Sequence, residues 1–336
     1  MIECAFTIDY EIYGNGQGSL ASLVHDPARE LKAVFDAHGV KFVNFVEALE
    51  FERIEHQGSD PASPDVRRQI RDLHRAGYET ALHLHPQWMN AQFRNGEWAL
   101  DYAEYNLCTL PPRRIAAIVD HALAYLRDVV EDPGFTPVSF RAGNWLFQPT
   151  GPAATVLAAR GLKIDSSVFK GGVQHAHGLD YRPALKNGFY WNFRDDVTQA
   201  VAGGPMLEIP IHVEMVPFWK MLTGKRVSLQ KKSGAATPRS TMGQRASRWS
   251  RLRDYARPVY PLKFDFCRMT ADEMTRMVRH LIAVDRQSPD TFKPMVAIGH
   301  TKDLVDLGSI EAFLGFLRDE GIRVATLASM AARCQP

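Results

Sequence analysis

Two histidines stand two residues apart in His83-Leu84-His85, and two acids stand two apart in Asp9-Tyr10-Glu11. Successive side chains of an extended strand point to opposite faces, so each pair shares a face. Two imidazoles on one strand and a carboxylate from a neighbour can give three ligands to one divalent metal. Zinc takes such N and O donors at about 2.0–2.2 Å and keeps a fourth position for water in catalytic sites. Further along come Arg141 in Phe140-Arg141-Ala142-Gly143, Asp165 in Ile164-Asp165-Ser166-Ser167, and His300 in Ile298-Gly299-His300-Thr301. Each alone has an ordinary reading: a lone His is a hydrogen-bonded core group, Asp165 caps a turn, Arg141 closes a structural ion pair. The coincidence of acid, imidazole and guanidinium groups at separate segment ends is what points to a site. His212 closes another segment, Glu208-Ile209-Pro210-Ile211-His212. Trp88 and Trp145 follow the histidine and arginine motifs and offer faces that suit the apolar side of a sugar.

These residues need elements to hold them. Strands are expected at Cys4–Glu11, 41–46, Tyr78–His85, Val138–Ala142, Leu162–Asp165, Met206–His212, Met295–Gly299 and Ile322–Thr326. Helices are expected from Asp26-Pro27 to Gly39, from Ser63-Pro64-Asp65 to Gly77, over Pro112–Val130, and from about Pro152 to Gly161. A capping box, Thr270-Ala271-Asp272-Glu273, opens another that runs to about Val284, and a last one stops before Gly321. Strands alternating with helices imply a parallel sheet. A closed or partly closed β/α barrel and an open doubly wound sheet both fit, and both place chemistry at strand C-termini. No GxGxxG follows the first strand, and its acidic end would repel a phosphate.

The 336 residues are 45% hydrophobic and 23% charged, which excludes a disordered chain. No stretch approaches the ~20 apolar residues of a membrane span. The start, Met1-Ile2-Glu3-Cys4-Ala5-Phe6, lacks a basic region followed by an apolar core, so no signal peptide and a cytoplasmic location are expected. Four scattered cysteines without a CxxC pair read as reduced thiols. The net charge of +2 hides an asymmetry. The stretch from Lys220 to Arg257 carries +10, leaving about −8 for the rest. With its Gly and Ser content it reads as a basic insertion, 216–262, within a single catalytic domain spanning 1–336. A solvated loop, an arm on an anionic glycan, sugar nucleotide or lipid-linked phosphate, and a membrane-surface contact through 220–257 all remain open for it; nucleic acid is not the expected partner.

The five motifs together resemble the polysaccharide deacetylase family, the NodB homology domain of carbohydrate esterase family 4. The likeness covers roughly residues 1–215 and 265–330 and includes the order and spacing of the motifs. The family's Thr-Phe-Asp-Asp-Gly stands here as Thr7-Ile8-Asp9-Tyr10-Glu11, and its two histidines, usually four apart, are His83 and His85. The Arg, Asp and His motifs match Arg141, Asp165 and His300. The resemblance implies a distorted (β/α) barrel and a metal-dependent hydrolase that removes an N-acetyl or similar acyl group from a carbohydrate. It implies a divalent metal, expected to be zinc, with Asp9 as general base, His300 as general acid, Asp165 orienting His300 as imidazolium, and Arg141 keeping Asp9 ionised. Tyr10 replaces the family's second Asp, so the metal carboxylate falls to Glu11, with His83 and His85 beside it; Asp9 and Glu11 could exchange roles. Trp88, Trp145 and His212 are the expected substrate-binding residues. An amidohydrolase of similar fold acting on a small non-sugar amide, and a non-catalytic glycan binder, are the alternatives.

Overall fold

The computed structural model describes residues 1–217, Lys220 and 257–334. Most of the expected basic insertion therefore lies outside the described residues. The strands are β1 (Ile2–Tyr10), β2 (Val43–Glu47), β3 (Glu79–Leu84), β4 (Gln92–Arg94), β5 (Glu97–Ala99), β6 (Ser139–Ala142), β7 (Ile164–Asp165), β8 (Val173–Gln174), β9 (Leu179–Asp180), β10 (Trp191–Phe193), β11 (Met206–Glu208), β12 (Val213–Pro217), β13 (Val259–Lys263), β14 (Lys293–His300) and β15 (Arg323–Val324). The main sheet runs in the order β10-β11-β7-β6-β3-β2-β1-β14, with β15 also paired to β1. Only β10 and β11 are antiparallel within it. β4–β5, β8–β9 and β12–β13 form separate antiparallel pairs.

The sheet is strongly curled into a distorted barrel, which decides between the two architectures that the alternation allowed. Single bridges link segments outside the named strands to β14. Ile211 bridges in parallel to both Phe169 and Val296, and Asp265 bridges to Ile298. The His212 amide donates to the Val296 carbonyl at 2.9 Å, and the Phe266 amide to that of Ile298 at 2.9 Å. The expected strand Met206–His212 stops at Glu208 because Pro210 has no N–H for a ladder.

Parallel strands covered on both faces should be apolar throughout, and β1 and β14 are buried along their whole length. Helices cover the outside. Pro112–Val130 has the expected bounds, buries Ile115, Ile118, Val119, Leu123 and Leu126, and packs on Ala48–Gln57. The latter helix was not legible in its charge-rich sequence; the Glu47 side chain caps it by accepting from the Glu50 amide. Ala271–Gln287 opens with the expected capping box. On the β1 side Phe6 makes edge contacts with Phe35, Phe266 and Phe313 at 5.1–6.0 Å between centroids. No described helix is long and apolar enough to cross a membrane.

Candidate metal and catalytic site

Strand register brings the motifs together. Asp9 lies opposite His300 across β1 and β14, and His83 lies opposite Arg141 across β3 and β6. Glu11 and His85 stand one step beyond the ends of β1 and β3, so the chain turns away just where both side chains face inward. Glu11 Oε2 is 3.4 Å from His83 Nε2 and 2.9 Å from His85 Nε2. These three groups, and likewise Asp9, Glu11 and His300, each present ligand atoms within 4.8 Å of one another, and all are buried.

The donor set suits a divalent cation. His83 Nδ1 is 3.0 Å from the Arg141 carbonyl, to which it donates, leaving the Nε2 lone pair inward. His85 Nδ1 faces the amide nitrogens of Gln87 at 3.2 Å and Asn144 at 3.3 Å, while Gln87 Oε1 is buried without a partner. A half-turn of the Gln87 amide would give that oxygen the His85 Nδ1–H and free the second Nε2. Glu11 divides its oxygens: Oε2 faces the imidazoles and Oε1 accepts from Lys302 at 2.8 Å. Gly143 permits this packing, since a Cβ there would sit 2.5 Å from the Leu84 carbonyl and 2.8 Å from the His85 ring.

Charge explains the protonation states. Burial alone would raise both acids. Lys302 and the two imidazoles outweigh it at Glu11 and hold that carboxyl well below its usual range. At Asp9 the decisive neighbours are Arg141, His83 and His300, and its pKa is also lowered. Arg141 Nη1 donates to Asp9 at 2.5 Å and Nη2 to Thr7 at 2.9 Å, with its guanidinium 4.1 Å over the Phe45 ring. Burial lowers His85 and His300, whereas Asp9 and Glu11 overcome burial to raise His83.

Two expectations need correction. Asp165 does not orient His300. β7 registers Asp165 with Phe140, one residue out of phase with Arg141, so it points to the opposite face. There it accepts from Ser167 at 2.7 Å and pairs with Glu208. The acids facing His300 are Asp9 and Glu11, 3.4 and 3.9 Å from Nε2, and Asp303, 3.5 Å from Nδ1; the Nδ1 contact is not a hydrogen bond. Burial thus lowers the His300 pKa, and Asp165 does not hold it as imidazolium. Trp88 is fully buried, edge-on to Trp98 at 4.9 Å, and cannot meet a sugar. The expected His212 lies at the barrel seam, 6.1 Å from Phe264, and burial pushes it down to about 4. Trp145 does reach the site, edge-on to His300 at 6.2 Å. Sequence reading missed Lys302 and Asp303, although they follow His300 within its own motif, and it missed Glu47, Tyr105 and Lys263. Glu47 Oε1 accepts from the His85 amide at 2.7 Å, and Tyr105 bonds Asn144.

No protein-family model and no curated protein matches the sequence. Solved structures do. A putative polysaccharide deacetylase from Mycobacterium smegmatis superposes with a TM-score of 0.52 at 15% identity, over 99% of this chain and 89% of that one. The fold is that of the polysaccharide deacetylases. Puue allantoinase shares the deacetylase fold with a TM-score of 0.51 at 10% identity, over 98% of this chain and 89% of that one. So does a GH57 branching enzyme from Thermococcus kodakaraensis, at 0.54 and 12%, over 99% of this chain and 71% of that one. At these identities the likeness is one of fold, and the deacetylase fold hosts several chemistries, so activity has to be argued from the site.

Proposed function

We propose that the chain is a metal-dependent deacylase that removes an N-acetyl or similar acyl group from a carbohydrate, a polysaccharide or glycan precursor. The single observation that carries this reading is the convergence of Glu11, His83 and His85 beside the Asp9–Arg141 pair and His300. Zinc is the proposed metal, because two imidazoles and a carboxylate are donors that it favours. The cation would supply a Lewis acid that polarises the scissile carbonyl and lowers the pKa of water. Asp9, kept ionised by Arg141, accepts a proton from the attacking water. His300, lowered by burial and with Nε2 3.4 Å from Asp9 Oδ2, takes that proton on and delivers it to the leaving amine. Trp145 forms a wall for the sugar. A cytoplasmic location and a single catalytic domain, with the basic segment as an insertion, belong to the same proposal. Because allantoinase shares the fold, a small non-sugar amide is the second reading.

Metal analysis of the purified protein, together with acetate release from N-acetylated glycans and sugar nucleotides, tests the proposal. Stoichiometric metal and acetate release are expected. Metal with turnover only of small non-sugar amides would favour the second reading. A protein that takes up no metal and releases no acetate would be a glycan binder on this fold.

A further inference from the structure

The acids of the site have basic partners. Asp9 has Arg141, Glu11 has Lys302, and Asp265 and Asp303 share Arg268. Lys263, at the end of β13, stands outside these pairs. Its Nζ lies 3.1 Å from the centre of the Trp145 ring and 5.0 Å from that of Phe169, and it makes no hydrogen bond or ion pair among the described residues. An ammonium that loses water without gaining a carboxylate is held at a cost, which aromatic faces offset only in part. Burial accordingly pushes Lys263 down to about 7, although Asp265 and Asp9 pull the other way. The residue as a whole is half-buried.

The backbone beside it is strained. Asn144 and Trp145 both adopt left-handed conformations, with φ of 54° and 59°. That is unfavourable for a bulky side chain and is typical of positions fixed for function. The strain places the Trp145 ring with Lys263 over its face and His300 at 6.2 Å edge-on. The ammonium and the proton carrier thus both lie against the same ring.

We propose that Lys263 recognises an anion on the substrate, a carboxylate or phosphate carried close to the scissile amide, with Trp145 holding its ammonium near His300. The proposal rests on the deacylase reading and narrows its substrate class to acidic N-acyl sugars. The test titrates the wild type, Lys263→Met, Lys263→Gln and Lys263→Arg with N-acetylglucosamine, N-acetylglucosamine 1-phosphate and N-acetylmuramic acid, by calorimetry. The wild type should bind one of the two anionic sugars roughly tenfold more tightly than the neutral one, the scale of one hydrogen bond to a charged group. Which one it prefers distinguishes phosphate from carboxylate. Lys263→Arg should keep that ratio, and whichever neutral variant folds, checked by thermal unfolding, should bring it close to one. A wild type without preference, or a ratio unchanged in the neutral variant, overturns the proposal. Metal content and acetate release on N-acetylglucosamine are measured alongside. Their absence with the ratio intact would sink the deacylase reading and leave Lys263 as an anion-binding residue.

Discussion

At the residue scale, the two acids of the first motif have separable surroundings. Glu11 faces two imidazole nitrogens, whereas Asp9 lies between Arg141 and His300. Glu11→Ala should therefore lose metal. Asp9→Asn should keep the metal and lose turnover by ~10²-fold or more, since general acid–base groups contribute on that order. Metal analysis and initial rates check both, and full activity with full metal in both variants would end the assignment. Metal uptake should also weaken in acid. The raised His83 must give up its proton to become a ligand, so affinity measured from pH 8 to pH 5 should fall as the pH drops through its pKa.

At the scale of elements, strand register decides which groups meet. β7 and β11 set Asp165 opposite Glu208 on the face away from the site. Burial, and then their mutual repulsion, raises Glu208 well above the usual carboxylate range, and burial raises Asp165 too. A raised folded-state pKa contributes stability that is complete below the unfolded value, about 4.3 for Glu, and is lost as pH climbs through the folded value. Glu208→Gln removes that loss, so the variant should be more stable than wild type at pH 8 and lose its advantage at pH 4. Urea unfolding at the two pH values checks this; equal or lower stability at pH 8 would show that the pair is not proton-sharing. The turn after β6 offers a second test. In Gly143→Ala the new methyl meets the Leu84 carbonyl and the His85 ring. A cost of about 1–3 kcal/mol, typical of overpacking, should appear with weakened metal binding although no ligand is changed. Unaltered metal affinity would show that His85 is not positioned by this turn.

At the scale of the whole molecule, the curled sheet and its seam unite groups that are remote in sequence. His300 reaches Asp9 only because β14 pairs with β1 along its whole length, and Lys263 reaches Trp145 because β13 leads into the seam at Phe264 and Asp265. The basic stretch enters and leaves this region through β12 and β13. Its +10 charge should attract an anionic substrate. Deleting 224–250 is expected to raise KM for such a substrate more than it lowers kcat, and unchanged steady-state constants would mark the stretch as a solvated loop.

Sequence alone determined the alternation of strands and helices, because apolar periodicity, caps and glycine stops are local signals. It also determined that Asp9 with Glu11, and His83 with His85, share faces, because strand side chains alternate by two whatever surrounds them. It did not determine the partners of those faces. Asp165 follows the same local pattern as Arg141 yet points to the other side of the sheet, since phase between strands is set by tertiary pairing. Trp88 is as aromatic as Trp145, but only the packed structure shows one sealed in the core and the other at the site. The cations beside the cluster, Lys302 on Glu11 and Lys263 over Trp145, were fixed by tertiary pairing, a contact between distant segments that no local window of sequence contains.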